Sequence, residues 1–195
     1  TAEFDGVLSS ATSATGLTKS GSGTLLLKGA NTYTGTTSIN EGTLQLGSGG
    51  SLSASTGLSM SGTAILDLGG NSQSFASLTG ASGNSILNSS VSTTSTLTVT
   101  GGTTTFAGTI KDNAGTGGTV ALTVNGATLT LSGANTYSGG TTLTSGVLLA
   151  GVASSGSLGS ITSSAVGKGT LTLNGGTLSS DGSTTRTFYN ALIFT

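Results

Sequence analysis

Histidine, cysteine, proline and tryptophan are all absent from the 195 residues. Without histidine and cysteine the chain lacks the commonest general base, any thiol nucleophile and the soft metal ligands. It has no disulfide framework either. Charge is scarce: charged residues make up 6% of the chain, against roughly 25% in a typical soluble domain. The five basic residues, Lys19, Lys28, Lys111, Lys168 and Arg186, are scattered, and the net charge is −1. That leaves no electrostatic footprint for nucleic acid or an anionic membrane. No apolar run approaches the ~18 residues of a membrane helix, so direct membrane insertion is not expected. The opening TAEFDG has neither the basic nor the apolar part of a signal peptide, and it reads as the start of a mature or excised piece. Disorder normally goes with low hydropathy and high charge. Here the mean hydropathy is +0.24, and spaced leucines set the chain apart from a Gly/Ser linker.

The remaining candidates for chemistry are thin. Six carboxylates are present: Glu3, Asp5, Glu41, Asp67, Asp112 and Asp181. Apart from Glu3 and Asp5 they are far apart in sequence. They read as single surface charges that keep the chain soluble, and a glycosidase pair is not favoured. The segment AVGKGT (165–170) lacks the earlier glycine and the Ser/Thr after Lys168 that a phosphate loop needs. GGNSQS (69–74) and SSDGS (179–183) lack the acidic ligands of a calcium roll. Lys19-Ser20 and Lys111 make no convincing Ser–Lys pair among so many serines, and one sequon, Asn88-Ser89-Ser90, is present. No catalytic residue, cofactor or metal is expected.

What the chain does have is repetition. Residues 24–47, TLLLKGANTYTGTTSINEGTLQLG, align with 128–151, TLTLSGANTYSGGTTLTSGVLLAG, at a constant offset of 104, with 13 of 24 positions identical. FDGVL (4–8) is similar to FAGTI (106–110), and FYNAL (188–192) looks like the start of a third copy. The internal repeats therefore run over about 4–47 and 106–151. Within them a shorter period shows. Apolar stretches begin near Gly23, Gly42, Gly62, Gly83, Gly102, Ala127, Gly146 and Gly169, at steps of 19 to 25 residues, and five steps make 104.

Within several stretches apolar residues alternate with Thr or another residue, as in Leu44-Gln45-Leu46, Leu97-Thr98-Val99 and Leu129-Thr130-Leu131. That is strand with one buried face. About 20 residues suffice for two or three short strands and tight turns, which is one turn of a parallel β-helix. The expected fold is therefore all-β: a parallel β-helix, or β-solenoid, of about 8–9 rungs of ~20 residues, with 1–195 as a single domain of a longer array. Inward Leu, Val and Ile would form the core, and Thr would cover the outside. Gly would supply the corners, and the missing proline suits strands hydrogen-bonded on both sides. An antiparallel sandwich with a turn every 8–12 residues accounts poorly for a duplication that is a whole number of short periods.

These residues carry a resemblance. GSGTLLLKGANTYTGTTSINEGTLQLG and NGATLTLSGANTYSGGTTLTSGVLLAG resemble the autotransporter-associated β-strand repeat, also called the passenger-associated transport repeat. The match is specific over 17–47 and 121–151, about a third of the chain. The resemblance implies a right-handed parallel β-helix at the bacterial outer-membrane surface or outside the cell. It also implies roles in adhesion, self-association and passage of the passenger across the outer membrane, with no family catalytic residues.

Two roles compete for the repeated GANTY. Tyr33 and Tyr137 could be exposed aromatics that touch a ligand. Alternatively, Gly29, Asn31, Tyr33 and Gly35, with Gly133, Asn135, Tyr137 and Gly139, could be a structural turn whose Asn bonds to backbone and whose Tyr covers a rung edge. The second is favoured, with both tyrosines on one edge of the rod, five rungs or about 24 Å apart. The expected function is a structural and adhesive surface segment. Its expected partners are like molecules, through lateral or head-to-tail contact, and a host or glycan surface. A head-to-tail filament subunit is one alternative, with Phe188, Tyr189, Leu192, Ile193 and Phe194 as the candidate end-to-end interface. A carbohydrate-binding or carbohydrate-active β-helix is another.

Overall fold

Strands of three to six residues cannot bury their apolar face singly, so stability has to come from stacking like on like. The computed structural model, which describes residues 1–11, 15–115, 117–182 and 184–195, is a parallel β-solenoid of about nine turns with about 22 residues per turn.

The turn is three-sided. Side one stacks Leu17–Lys19, Thr37–Ile39, Gly57–Met60, Ser77–Gly80 and Thr103–Phe106, then residues 128–131, 147–150 and Thr177–Ser180. Side two stacks Ala2–Phe4, Thr24–Leu27, Thr43–Leu46, Ile65–Asp67, Ser85–Leu87 and Thr109–Ile110. Side three stacks Gln73–Phe75, Thr94–Val99, residues 119–124 and 141–143, Leu171–Leu173 and Leu192–Phe194. Two long strands, Thr119–Leu131 and Thr141–Ala150, fold around the corner between sides three and one. Gly126 and Gly146 make that bend, at φ of +95° and +86°, a region that only glycine enters freely.

The sides enclose columns of like residues. On side two Leu25, Leu44, Leu66, Ile86 and Ile110 lie one over the next, and all but Leu25 are fully buried. On side three Phe75, Val99, Val124 and Leu143 do the same. Phe106 is larger than its neighbours, and Gly80 and Gly108 make room for it: a Cβ on either would come within 2.6 Å of the ring.

The register corrects two sequence expectations. Thr43 pairs with Ile65 and Ser85 with Thr109, whereas Thr103–Phe106 lies on side one. The evenly spaced series of apolar stretches therefore steps from one side to another. The 104-residue offset takes Thr24 on side two to Thr128 on side one, which is four and two-thirds turns, not five. The cause is turn length. Stacked partners on side two lie 19 to 24 residues apart, from Thr24 with Thr43 to Ser85 with Thr109, so 104 residues fall short of five turns. Beyond the second copy, the turn from Thr141 to Leu171 holds an antiparallel hairpin, Ser155–Ser157 with Ser160–Ser163. The second correction is that threonine is not confined to the outside: Thr37 and Thr141 are buried.

Candidate functional site

In both copies GANTY lies where one side of the triangle carries an isolated bridge instead of a strand. Ala30 bridges Ser51 on side three, and Asn135 bridges Ser164 on side two. The copies therefore occupy different corners. The single edge expected to hold both tyrosines does not exist, because the repeat length is not a whole number of turns.

The asparagine joins three successive turns. Asn31 Oδ1 accepts from Leu8 N at 2.7 Å, and its Nδ2 donates to Ser51 O at 2.8 Å and Gly29 O at 3.0 Å. Asn135 Oδ1 accepts from Ile110 N at 2.7 Å, and its Nδ2 donates to Ala165 O at 2.7 Å. A bridging corner has no ladder to satisfy these backbone groups, so the side chain does it. The first glycine of each motif is set by close approach. A Cβ on Gly29 would lie 2.0 Å from Gly6 O, and one on Gly133 would lie 1.9 Å from Gly108 O. Gly35 and Gly139 donate their N–H groups to Thr15 O and Val120 O.

The tyrosines point inward. Tyr33 is 3% exposed and Tyr137 0%, so neither can be a surface contact, and neither ring lies along an outer rung edge. The Tyr137 hydroxyl lies 2.6 Å from Thr141 Oγ1, which itself donates to Val166 O at 2.9 Å. Thr141 has one proton to give, so Tyr137 is the donor in their pair. Tyr33 and Thr37 repeat the contact. The Thr four residues after the Tyr is identical in the two copies, and that spacing was the available sign of a buried pair.

Burial pushes the hydroxyl pKa of both tyrosines up from the ordinary 10.0, against the smaller opposing effect of the Thr bond. An unfolded chain would release these protons near that value while the folded one keeps them. The stabilisation is therefore complete below pH 10 and fades as pH rises above it. Denaturant titrations are expected to show stability falling above pH 10 by up to about 1.4 kcal/mol per pH unit for each tyrosine. Tyr137→Phe is expected to flatten that fall; an unchanged slope in the variant would contradict the assignment.

Other polar residues are also structural. Asp67 is 5% exposed, not a solubilising surface charge. Its Oδ1 accepts from Gly69 N and Ser89 N, and its Oδ2 accepts from Gln45 Nε2. Asn88 of the sequon is fully buried and donates to Thr93 O and Thr119 O. Lys19 is 7% exposed and gives its ammonium protons to the carbonyls of Ser20, Gly21 and Glu41. Glu3 and Asp5 flank Lys28, and Asp181 pairs with Arg186 at 3.0 Å. In AVGKGT, Ala165 and Val166 belong to the core, and the Lys168 N–H donates to Tyr137 O.

Large apolar side chains are exposed at both ends and between them: Phe4, Val7, Val91, Leu158, Leu192, Ile193 and Phe194. Leu158, at the tip of the antiparallel hairpin, is 82% exposed. Phe188 packs partly buried against the core, while Leu192, Ile193 and Phe194 form an exposed strand paired on one edge with Leu171–Leu173. Tyr189 is partly exposed. It borders a cleft of about 270 Å³ that is also lined by Ile161 of the hairpin and by Lys168.

A family model described as Passenger-associated-transport-repeat matches residues 17–46 and 122–150. The Adhesin BmaC autotransporter of Brucella suis biovar 1 (strain 1330) is 38% identical over 173 residues, covering 86% of this chain and 5% of the adhesin. The chain thus spans about one-twentieth of that relative's length. No solved structure matches it.

Proposed function

We propose, on the premise that this is an autotransporter passenger-repeat chain, that it forms a length of adhesive rod carried outside the bacterial cell. The observation that carries the proposal is the unbroken stack of side one from Leu17 to Ser180, which projects outward Thr and Ser almost without charge. Similarity to an adhesin supports the same use. Such faces can approach a glycan-covered surface or one another without like-charge repulsion. Further turns of a longer chain could pair the outer edge of Leu192–Phe194 as well as a second copy could, so that edge does not single out a filament, and the low charge of the outer faces favours lateral contact. The role is mechanical and adhesive, not catalytic.

Beads coated with the purified chain are expected to cluster with rising coat density and to stick to epithelial monolayers, with little change between low and high salt. Beads that stay dispersed and fail to adhere would reduce the segment to a spacer.

A further inference from the structure

The three tyrosines divide by environment. Tyr33 and Tyr137 are enclosed with a Thr partner each, whereas Tyr189 is partly exposed and its hydroxyl meets no partner among the described residues. It lines a cleft together with Ile161 of the antiparallel hairpin, Lys168 and Thr170. Lys168 is exposed, and no carboxylate pairs with it among the described residues. The cleft continues. A second hollow of about 280 Å³ shares Thr170 with it and runs along side three between Thr96, Thr123, Thr142 and Thr172. No acidic residue lines either hollow.

Size, surface and charge agree on a ligand class. Each hollow is just below the roughly 300 Å³ at which pockets take drug-sized molecules, which suits a single sugar ring. Tyr189 and Ile161 offer an apolar flank to ring carbons, with a free phenol beside it. Thr123, Thr142 and Thr172 offer hydroxyls in register, and Lys168 offers a cation to a carboxylate. We propose that side three, from Thr96 to Tyr189, binds a short acidic oligosaccharide of uronic-acid units, with one carboxylate on Lys168 Nζ and its ring against Tyr189. The proposal rests on the adhesive role, for which it names the surface chemistry. It gives Tyr189 a lateral task in place of the end-to-end one expected from sequence.

The test is titration of the full chain with trigalacturonate, followed by amide chemical shifts. Shifts are expected at Gly169, Thr170, Tyr189 and Ala191. Loss of one charge-assisted hydrogen bond should weaken binding about tenfold in Lys168→Gln. Methyl-esterified trigalacturonate, which keeps the ring shape but not the charge, should bind the parent about tenfold more weakly for the same reason. An unchanged melting curve for Lys168→Gln separates lost binding from lost folding. Equal affinity for acid and ester, shifts confined to side two, the same shifts from sodium acetate alone, or no binding would each overturn the proposal. Coated beads that adhere equally well with Lys168→Gln would overturn it while leaving the adhesive role intact. A chain that binds trigalacturonate but does not adhere would do the reverse.

Discussion

Asn135→Ala is expected to destabilise the solenoid by about 3 kcal/mol, because it orphans the Ile110 N–H and the Ala165 carbonyl, at roughly 1–3 kcal/mol each. Both bonds are 2.7 Å long and fully buried, so water cannot replace the amide without opening the corner. In a chain of this length the melting temperature should drop by about 10 °C, measurable by circular dichroism. Asn31→Ala should cost less, since Leu8 on its far side is only partly buried. A cost for Asn135→Ala within about 0.5 kcal/mol, the range of ordinary surface changes, would mean that the asparagine does not hold the turns together.

Gly133→Ala is expected to do comparable damage by pushing instead of by loss. Its Cβ would sit 1.9 Å from Gly108 O and 2.9 Å from Gly108 C, and the neighbouring turn is fixed backbone that cannot rotate away. Overpacking of this kind costs about 3 kcal/mol at the upper end of its usual range. Gly133 has no positive φ, so the clash alone would be responsible. Gly21→Ala is the control. Gly21 has φ +76° with nothing within 4 Å of a Cβ, and only the left-handed backbone strain of about 1–2 kcal/mol should appear there. If the two substitutions cost the same, close approach between turns is not what selects the motif's first glycine.

The strands were legible because alternation of Leu with Thr has one reading when no helical stripe competes with it. Stacking was legible from the duplication, since a 24-residue segment recurring with 13 identities implies the same local structure twice. The phase of the two copies around the rod was not. Phase depends on the summed length of every intervening loop, and the turns between the copies vary from 19 residues, Thr24 to Thr43, to 24, Ser85 to Thr109, with nothing in their Ser- and Gly-rich loops to mark where one side ends. Burial of polar residues was equally hidden. Thr37, Asp67 and Asn88 look like surface residues by type; Thr37 is inside to meet the Tyr33 hydroxyl, and Asp67 and Asn88 because specific backbone groups of adjacent turns need them. The cleft beside Tyr189 joins residues from the hairpin, from Lys168–Thr170 and from the last strand, a meeting that requires knowing which segments share a side.

A repeat of four and two-thirds turns in a triangular rod acts as a screw. In an array of such units each copy of a feature is rotated by a third of a revolution from the one before, and the original azimuth returns after three units, or fourteen turns. At the spacing of stacked strands that is a pitch of about 67 Å. Any patch carried once per unit would then wind helically around the shaft, so a rod lying against a flat surface in any rolling orientation would still turn a patch toward it at regular intervals along its length.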